Sequence, residues 1–161
     1  MAHPIYGCIT SSPTIKEYPV AASQYFRHAG VNAVYLDGSG HVTLAITATA
    51  TLIGIAIVPV GKGAGTSNDY WLSSATAGSD KIQVATNSSA KFLAPADDTV
   101  TAAMRGNACD LIAVNDGTAT TVDVGTSSTD VFIIDDIGTV AGGAVTDVVF
   151  HINPLKYQAD T

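Results

Sequence analysis

From residue 31 onward, short runs of β-branched and aliphatic residues are punctuated by Gly, Asn, Asp and Ser, and several runs keep a period of two. That period places alternate side chains on opposite faces of a strand. Residues 31–36 and 41–46 flank Asp37-Gly38-Ser39-Gly40, and residues 109–114 and 118–124 flank Asn115-Asp116-Gly117. Both read as hairpins, because Gly, Asn and Asp tolerate the positive φ of a tight turn. Further strands are predicted at 52–60, 70–72, 81–86, 91–94 and 145–152, the last stopped by Pro154. The unbroken apolar run 131–134 predicts a strand buried on both faces. One short helix is predicted over 99–105, with Asp98 as its N-cap and Gly106 closing it. The fold class is mainly β, a compact β-barrel or β-sandwich with one short helix.

Residues 42–60 (VTLAITATATLIGIAIVPV) carry no charge and approach the length of a membrane helix. Thr43, Thr47, Thr49 and Thr51 alternate with apolar neighbours, however, and Gly54 and Pro59 interrupt the run. Two successive buried strands are predicted instead, with no membrane partner. The apolar set moves from even to odd positions near Leu52, which marks a turn or bulge.

Residues 1–24 differ in composition. Pro4, Pro13 and Pro19 punctuate them, yet they hold Ile5, Tyr6, Ile9, Ile15, Tyr18 and Val20. Proline removes backbone donors and a solvated tail has no use for such apolar groups, so an extended arm lying on another surface is expected. The division is therefore an N-terminal arm over 1–24 and a β domain over 25–161.

Composition narrows the function. Hydrophobic residues make up 47% of the 161 and charged residues only 13%, against roughly 25% in ordinary domains. Thr and Ser stand where Lys and Glu would usually face solvent, so the surface is polar but nearly uncharged. Edges of such a surface are poorly protected against pairing, which suits coverage by neighbouring subunits. A net charge of −7 speaks against nucleic acid as the partner. Cys8 and Cys109 are too few for a disulfide scaffold and are expected to be free thiols. The N-terminus lacks the pattern of a signal peptide, and Asn87-Ser88-Ser89 reads as a polar turn.

Catalytic chemistry is not predicted. Gly61 to Thr66 departs from a phosphate-binding loop, since Gly63 follows Lys62 and position 56 is Ala. There is no Gly-x-Ser-x-Gly elbow. His3, His28, His41 and His151 have no metal-ligand spacing, and His151 is expected to be a hydrogen-bonded strand residue. Asp97-Asp98 and Asp135-Asp136 are assigned to turns and caps, because neighbours on a strand face opposite ways. No catalytic, cofactor-binding or metal-binding residues follow. Tyr70 and Trp71 form the main aromatic focus and are candidate core or interface anchors.

The order of elements in 31–60, Cys109-Asp110-Leu111-Ile112, Thr121-Val122-Asp123-Val124, Asp130-Val131-Phe132-Ile133-Ile134 and 148–158 (VVFHINPLKYQ) resembles the small decoration, or cement, proteins of tailed bacteriophage heads. The resemblance spans about residues 25–158. It implies a compact β-barrel made in the host cytoplasm and carried on the outer capsid surface of the virion. It further implies a homotrimer at local three-fold positions, bound to the major capsid protein and reinforcing the shell without catalysis. An arm reaching onto the shell would comprise His3, Pro4, Ile5, Tyr6, Ile9, Ile15, Tyr18 and Pro19. The alternative is a head-fibre or adhesin-like domain that binds host carbohydrate through Tyr70 and Trp71, with an enzyme ranked last.

Overall fold

Backbone pairing sorts the strands into three antiparallel sheets. The computed structural model describes residues 7–10, 12–28, 31–59, 62, 70–86, 88–116 and 120–158. In chain order the strands are β1 (Gly7–Cys8), β2 (Ile15–Pro19), β3 (Tyr25–Arg27), β4 (Asn32–Leu36), β5 (Val42–Leu44), β6 (Gly54–Ile57) and β7 (Tyr70–Leu72). They continue as β8 (Lys81–Ala85), β9 (Phe92–Pro95), β10 (Ala108–Ile112), β11 (Thr121–Asp123), β12 (Phe132–Ile137) and β13 (Asp147–Ile152). One sheet has six strands in the order β1-β9-β13-β12-β10-β11, the second has five in the order β2-β8-β6-β4-β5, and β3 pairs β7 in a separate ribbon.

Alternation along the strands builds two cores. On β4, β6 and β8, Ala33, Ile55 and Ala85 face Phe92, Cys109, Phe132 and Phe150 of the six-stranded sheet. The opposite face carries Val34, Ala56, Ile82 and Val84, which pack with Phe26 and Trp71 of the β3–β7 ribbon. The centre of the five-stranded sheet is thus a middle layer, covered on both sides, while Ile15, Lys16, Glu17, Lys81 and Gln83 toward its β2 edge stay exposed. Its central strand β6 begins at Gly54, where a Cβ would lie 2.2 Å from the Ala85 carbonyl oxygen and 2.6 Å from Val84 Cγ1. The expected change of phase falls here: Leu52 joins the first core, Ile53 the second, and Ile55 the first again. The predicted β4–β5 hairpin is present, with Asp37 Oδ1 accepting from the amides of Ser39 and His41 at 2.8 and 2.9 Å and Gly40 at φ 77°.

Neither large sheet closes into a barrel. In the five-stranded sheet, the edge regions meet at one parallel bridge, Val20 to Val42. In the six-stranded sheet, β11 approaches the chain just past β9 through a single bridge, Ala96 to Val122. Strands β5 and β11 have three residues each and pair along one side, with β4 and β10.

Three further expectations are corrected. The described part of the arm belongs to the sheets: β1 pairs β9, and β2 pairs β8 over five residue pairs from Ile15↔Ala85 to Pro19↔Lys81. Tyr18 and Val20 are core residues, while Ile9 and Ile15 are 40% and 39% exposed. Pro19 is tolerated because it ends an edge strand, where a missing donor breaks no inner ladder. His3, Pro4, Ile5 and Tyr6 lie outside the described residues. In place of a helix over 99–105 there is one 3-10 turn, Ala102–Met104. Val100 is drawn into the first core, its amide donating to the Val145 carbonyl, and the Asp98 carboxylate accepts from adjacent Thr99 instead of capping. Finally, β12 is buried on one face only, since Phe132 and Ile134 point inward and Ile133 is half-buried. Residues 42–60 contribute β5 and β6, and no helix among the described residues is long and apolar enough to cross a membrane.

Two outcomes test this layering. Gly54→Ala should destabilise the fold by about 1–3 kcal/mol, the usual cost of forcing atoms into a packed core, read as a lower urea midpoint at unchanged m-value. Deleting residues 1–20 should abolish cooperative unfolding, because it removes β2 and two core side chains. A truncated chain with a sharp thermal transition would show that those residues are dispensable.

Candidate interaction surface

Tyr70 and Trp71 are neighbours on β7, so the period of two sends them to opposite faces. Trp71 points inward and is 6% exposed. It stacks on Phe26, with ring centroids 5.4 Å apart and planes at 28°, and Lys62 Nζ sits 5.2 Å from its ring centroid. That stack anchors the ribbon to the middle sheet, and Trp71 offers no face for a ligand to stack on.

Tyr70 belongs to the other face. Cross-strand pairing sets Tyr25 opposite Leu72 and Arg27 opposite Tyr70. Tyr25 and Tyr70 meet edge to face, with centroids 5.1 Å apart at 62°, and Leu72 is 45% exposed beside them. A neighbouring segment is hydrogen-bonded to the ribbon. The Tyr25 amide donates to Asn115 Oδ1 at 3.0 Å, fixing the 112–115 segment alongside. Thr47 is tied to Ala113 by its amide at 3.0 Å and its hydroxyl at 3.1 Å. The residues flanking that joint, Ile46, Ile112 and Val114, are all exposed. Tyr25 and Leu72 were legible in the alternation of Tyr25-Phe26-Arg27 and Tyr70-Trp71-Leu72. The bond that sets Asn115 beside Tyr25 was not, because a side-chain bond across ninety positions leaves no local signal.

The carboxylates hold structure. A bulge in β12 between Ile134 and Asp136 sends two consecutive Asp residues to different partners. Asp135 meets His151 Nδ1 at 2.8 Å and Lys91 Nζ at 3.6 Å, while Asp136 Oδ1 accepts from Arg105 Nε at 2.9 Å and Nη2 at 2.5 Å. Ion pairing is thus added to the cap role expected, which Asp136 keeps by accepting from the Ile137 amide at 2.9 Å, and His151 is hydrogen-bonded as expected. Asp97 caps the amide of Val124 at 2.9 Å. No group of three or more His, Cys, Asp or Glu among the described residues is placed to hold a metal ion.

The most organised carboxylate is one that the sequence does not single out. Asp110, on β10 and 5% exposed, accepts from the amides of Ser128, Thr129 and Asp130 at 2.8, 2.9 and 2.8 Å and from the Ser128 hydroxyl at 2.5 Å. Burial opposes its charge, but the Ser128 hydroxyl and the three amides outweigh burial and lower its pKa to about 2. It holds the turn before β12 in place. An Asp in a strand gives no hint of this, because the donors come from a loop eighteen to twenty residues later.

Asp110 therefore contributes stability at neutral pH. The folded pKa lies below the unfolded value of about 3.9, so this contribution is complete above pH ~4 and is lost as pH falls toward ~2. Asp110→Asn should destabilise the fold by about 1–3 kcal/mol, since an amide group cannot satisfy all four donors, and should flatten the decline of the urea midpoint over that window. An unchanged acid limb would show that other carboxylates dominate it. No protein-family model matches the chain, and no curated protein or solved structure is significantly similar to it.

Proposed function

We propose that this chain is a structural virion protein of the decoration, or cement, class. It binds the outside of a tailed-phage capsid as a trimer at local three-fold positions and reinforces the shell. The supporting observation is the outward strip of Tyr25, Tyr70 and Leu72, with Ile46, Ile112 and Val114 exposed on segments hydrogen-bonded to it, in a chain poor in charge. Neighbouring exposed apolar groups favour a surface covered by protein. Because β2 is an integral strand, contact with the shell or with sister subunits is assigned to this strip and not to a free arm. The resemblance in order of elements points the same way.

A second reading, a head-fibre or adhesin-like domain for host carbohydrate, draws on the half-buried Tyr25–Tyr70 pair, since aromatic rings stack on sugars. The two readings separate on one series of measurements. Light scattering should give a native mass near three times 16.4 kDa, and the protein should co-sediment with expanded phage heads stripped of their own decoration protein. Leu72→Asp should abolish head binding or trimer formation while the thermal transition and Trp71 fluorescence stay unchanged, because Leu72 lies outside both cores. A monomer that ignores heads and binds a glycan array, with binding lost in Tyr70→Ala, would replace the capsid reading with the adhesin one.

A further inference from the structure

A cavity of about 330 Å³ opens where β1, the end of β3 and β6 converge, on the edge of the middle layer. Its walls divide by chemistry. Ile55, Val58 and Phe92 line it with hydrocarbon, and Cys8, Arg27 and His28 line it with polar groups. The volume lies at the small end of the range for ligand sites, about 300–1,000 Å³.

Arg27 sets this cavity apart. The buried Asn32 side chain brackets its backbone, accepting from the Arg27 amide and donating to the Arg27 carbonyl, both at 2.8 Å. The backbone beside the cavity is therefore fixed. The Arg27 Nε is buried and makes no hydrogen bond among the described residues. Four other cations have carboxylate partners: Lys62 meets Asp80, Lys81 meets Glu17, Lys91 meets Asp135 and Arg105 meets Asp136. Arg27 has none among the described residues, in a chain with 14 Asp and Glu against 7 Lys and Arg. His28 is held at the rim by a hydrogen bond from its Nε2 to the Lys62 carbonyl.

We propose that this cavity binds a small organic carboxylate on a short apolar stem. The guanidinium fork of Arg27 matches the two oxygens of a carboxylate, and the stem covers Ile55, Val58 and Phe92. A bare inorganic anion would leave that hydrocarbon wall unfilled. This site is independent of the capsid reading and stands or falls separately.

Cys8 supplies the readout. It lines the cavity and is half-buried, whereas Cys109 is fully buried, with its thiol pushed up to about 12 by burial and then by Asp110 and other nearby carboxylates. Alkylation of the native protein by iodoacetamide should therefore report Cys8 alone. Millimolar hexanoate should slow that alkylation by about tenfold, with a matching heat in calorimetric titration, while hexanamide and inorganic phosphate should change it less than about twofold. Arg27→Gln should remove the hexanoate effect, and Arg27→Lys should restore part of it, with Trp71 fluorescence confirming that each variant is folded. Equal protection by hexanamide would overturn the role of Arg27, and equal protection by phosphate would overturn the role of the apolar wall. Absence of both protection and titration heat would overturn the site.

Discussion

Coverage of the centre of the five-stranded sheet on both faces is the constraint from which most other features follow. A strand covered on both sides has no face left for charge. Where the layers overlap, β4, β6 and β8 present Ala33, Val34, Ile55, Ala56, Val84 and Ala85, small or aliphatic on either side. Gly54 is the extreme case, since strand and neighbour approach too closely for any Cβ. Charge scarcity in the composition is thus a property of the architecture and not only of the surface. The same constraint governs how backbone ends are satisfied. Asn32, Gln24 and Gln158 use neutral amides to imitate a missing strand partner: Gln24 Oε1 accepts from the Leu44 amide at 2.9 Å, and Gln158 brackets Leu36 at 2.8 and 3.0 Å. An amide both donates and accepts, and it carries no net charge to desolvate.

The sequence was legible wherever structure is local. The hairpins β4–β5 and β10–β11, the central place of β6 and the end of β13 all follow from alternation and turn residues within a dozen positions. What escaped is long-range. Nothing near Ile15 says that it will pair with Ala85, and the bracketing prolines argue for an arm until the partner strand is known. Residues 99–105 have helix-forming character, but burial of Val100 and the pull of Val145 override it. Of the two architectures expected, barrel or sandwich, the barrel is not formed: the edge regions of each large sheet share a single bridge and not a ladder.

The ribbon of β3 and β7 shows how this body could support recognition. A two-stranded ribbon is barely stable alone, so its position derives from what holds it. The Phe26–Trp71 stack sinks its inner face into the second core. Gln24 accepts from the Ser73 amide at 2.9 Å, Asn32 brackets Arg27, and Asn115 receives the Tyr25 amide. Held along its length in this way, the ribbon presents Tyr25, Tyr70 and Leu72 outward with their backbone already ordered. A partner bound there would not have to order that backbone, which lowers the cost of association. The inward Trp71 and the outward Tyr70 are two halves of one device, the first positioning what the second presents.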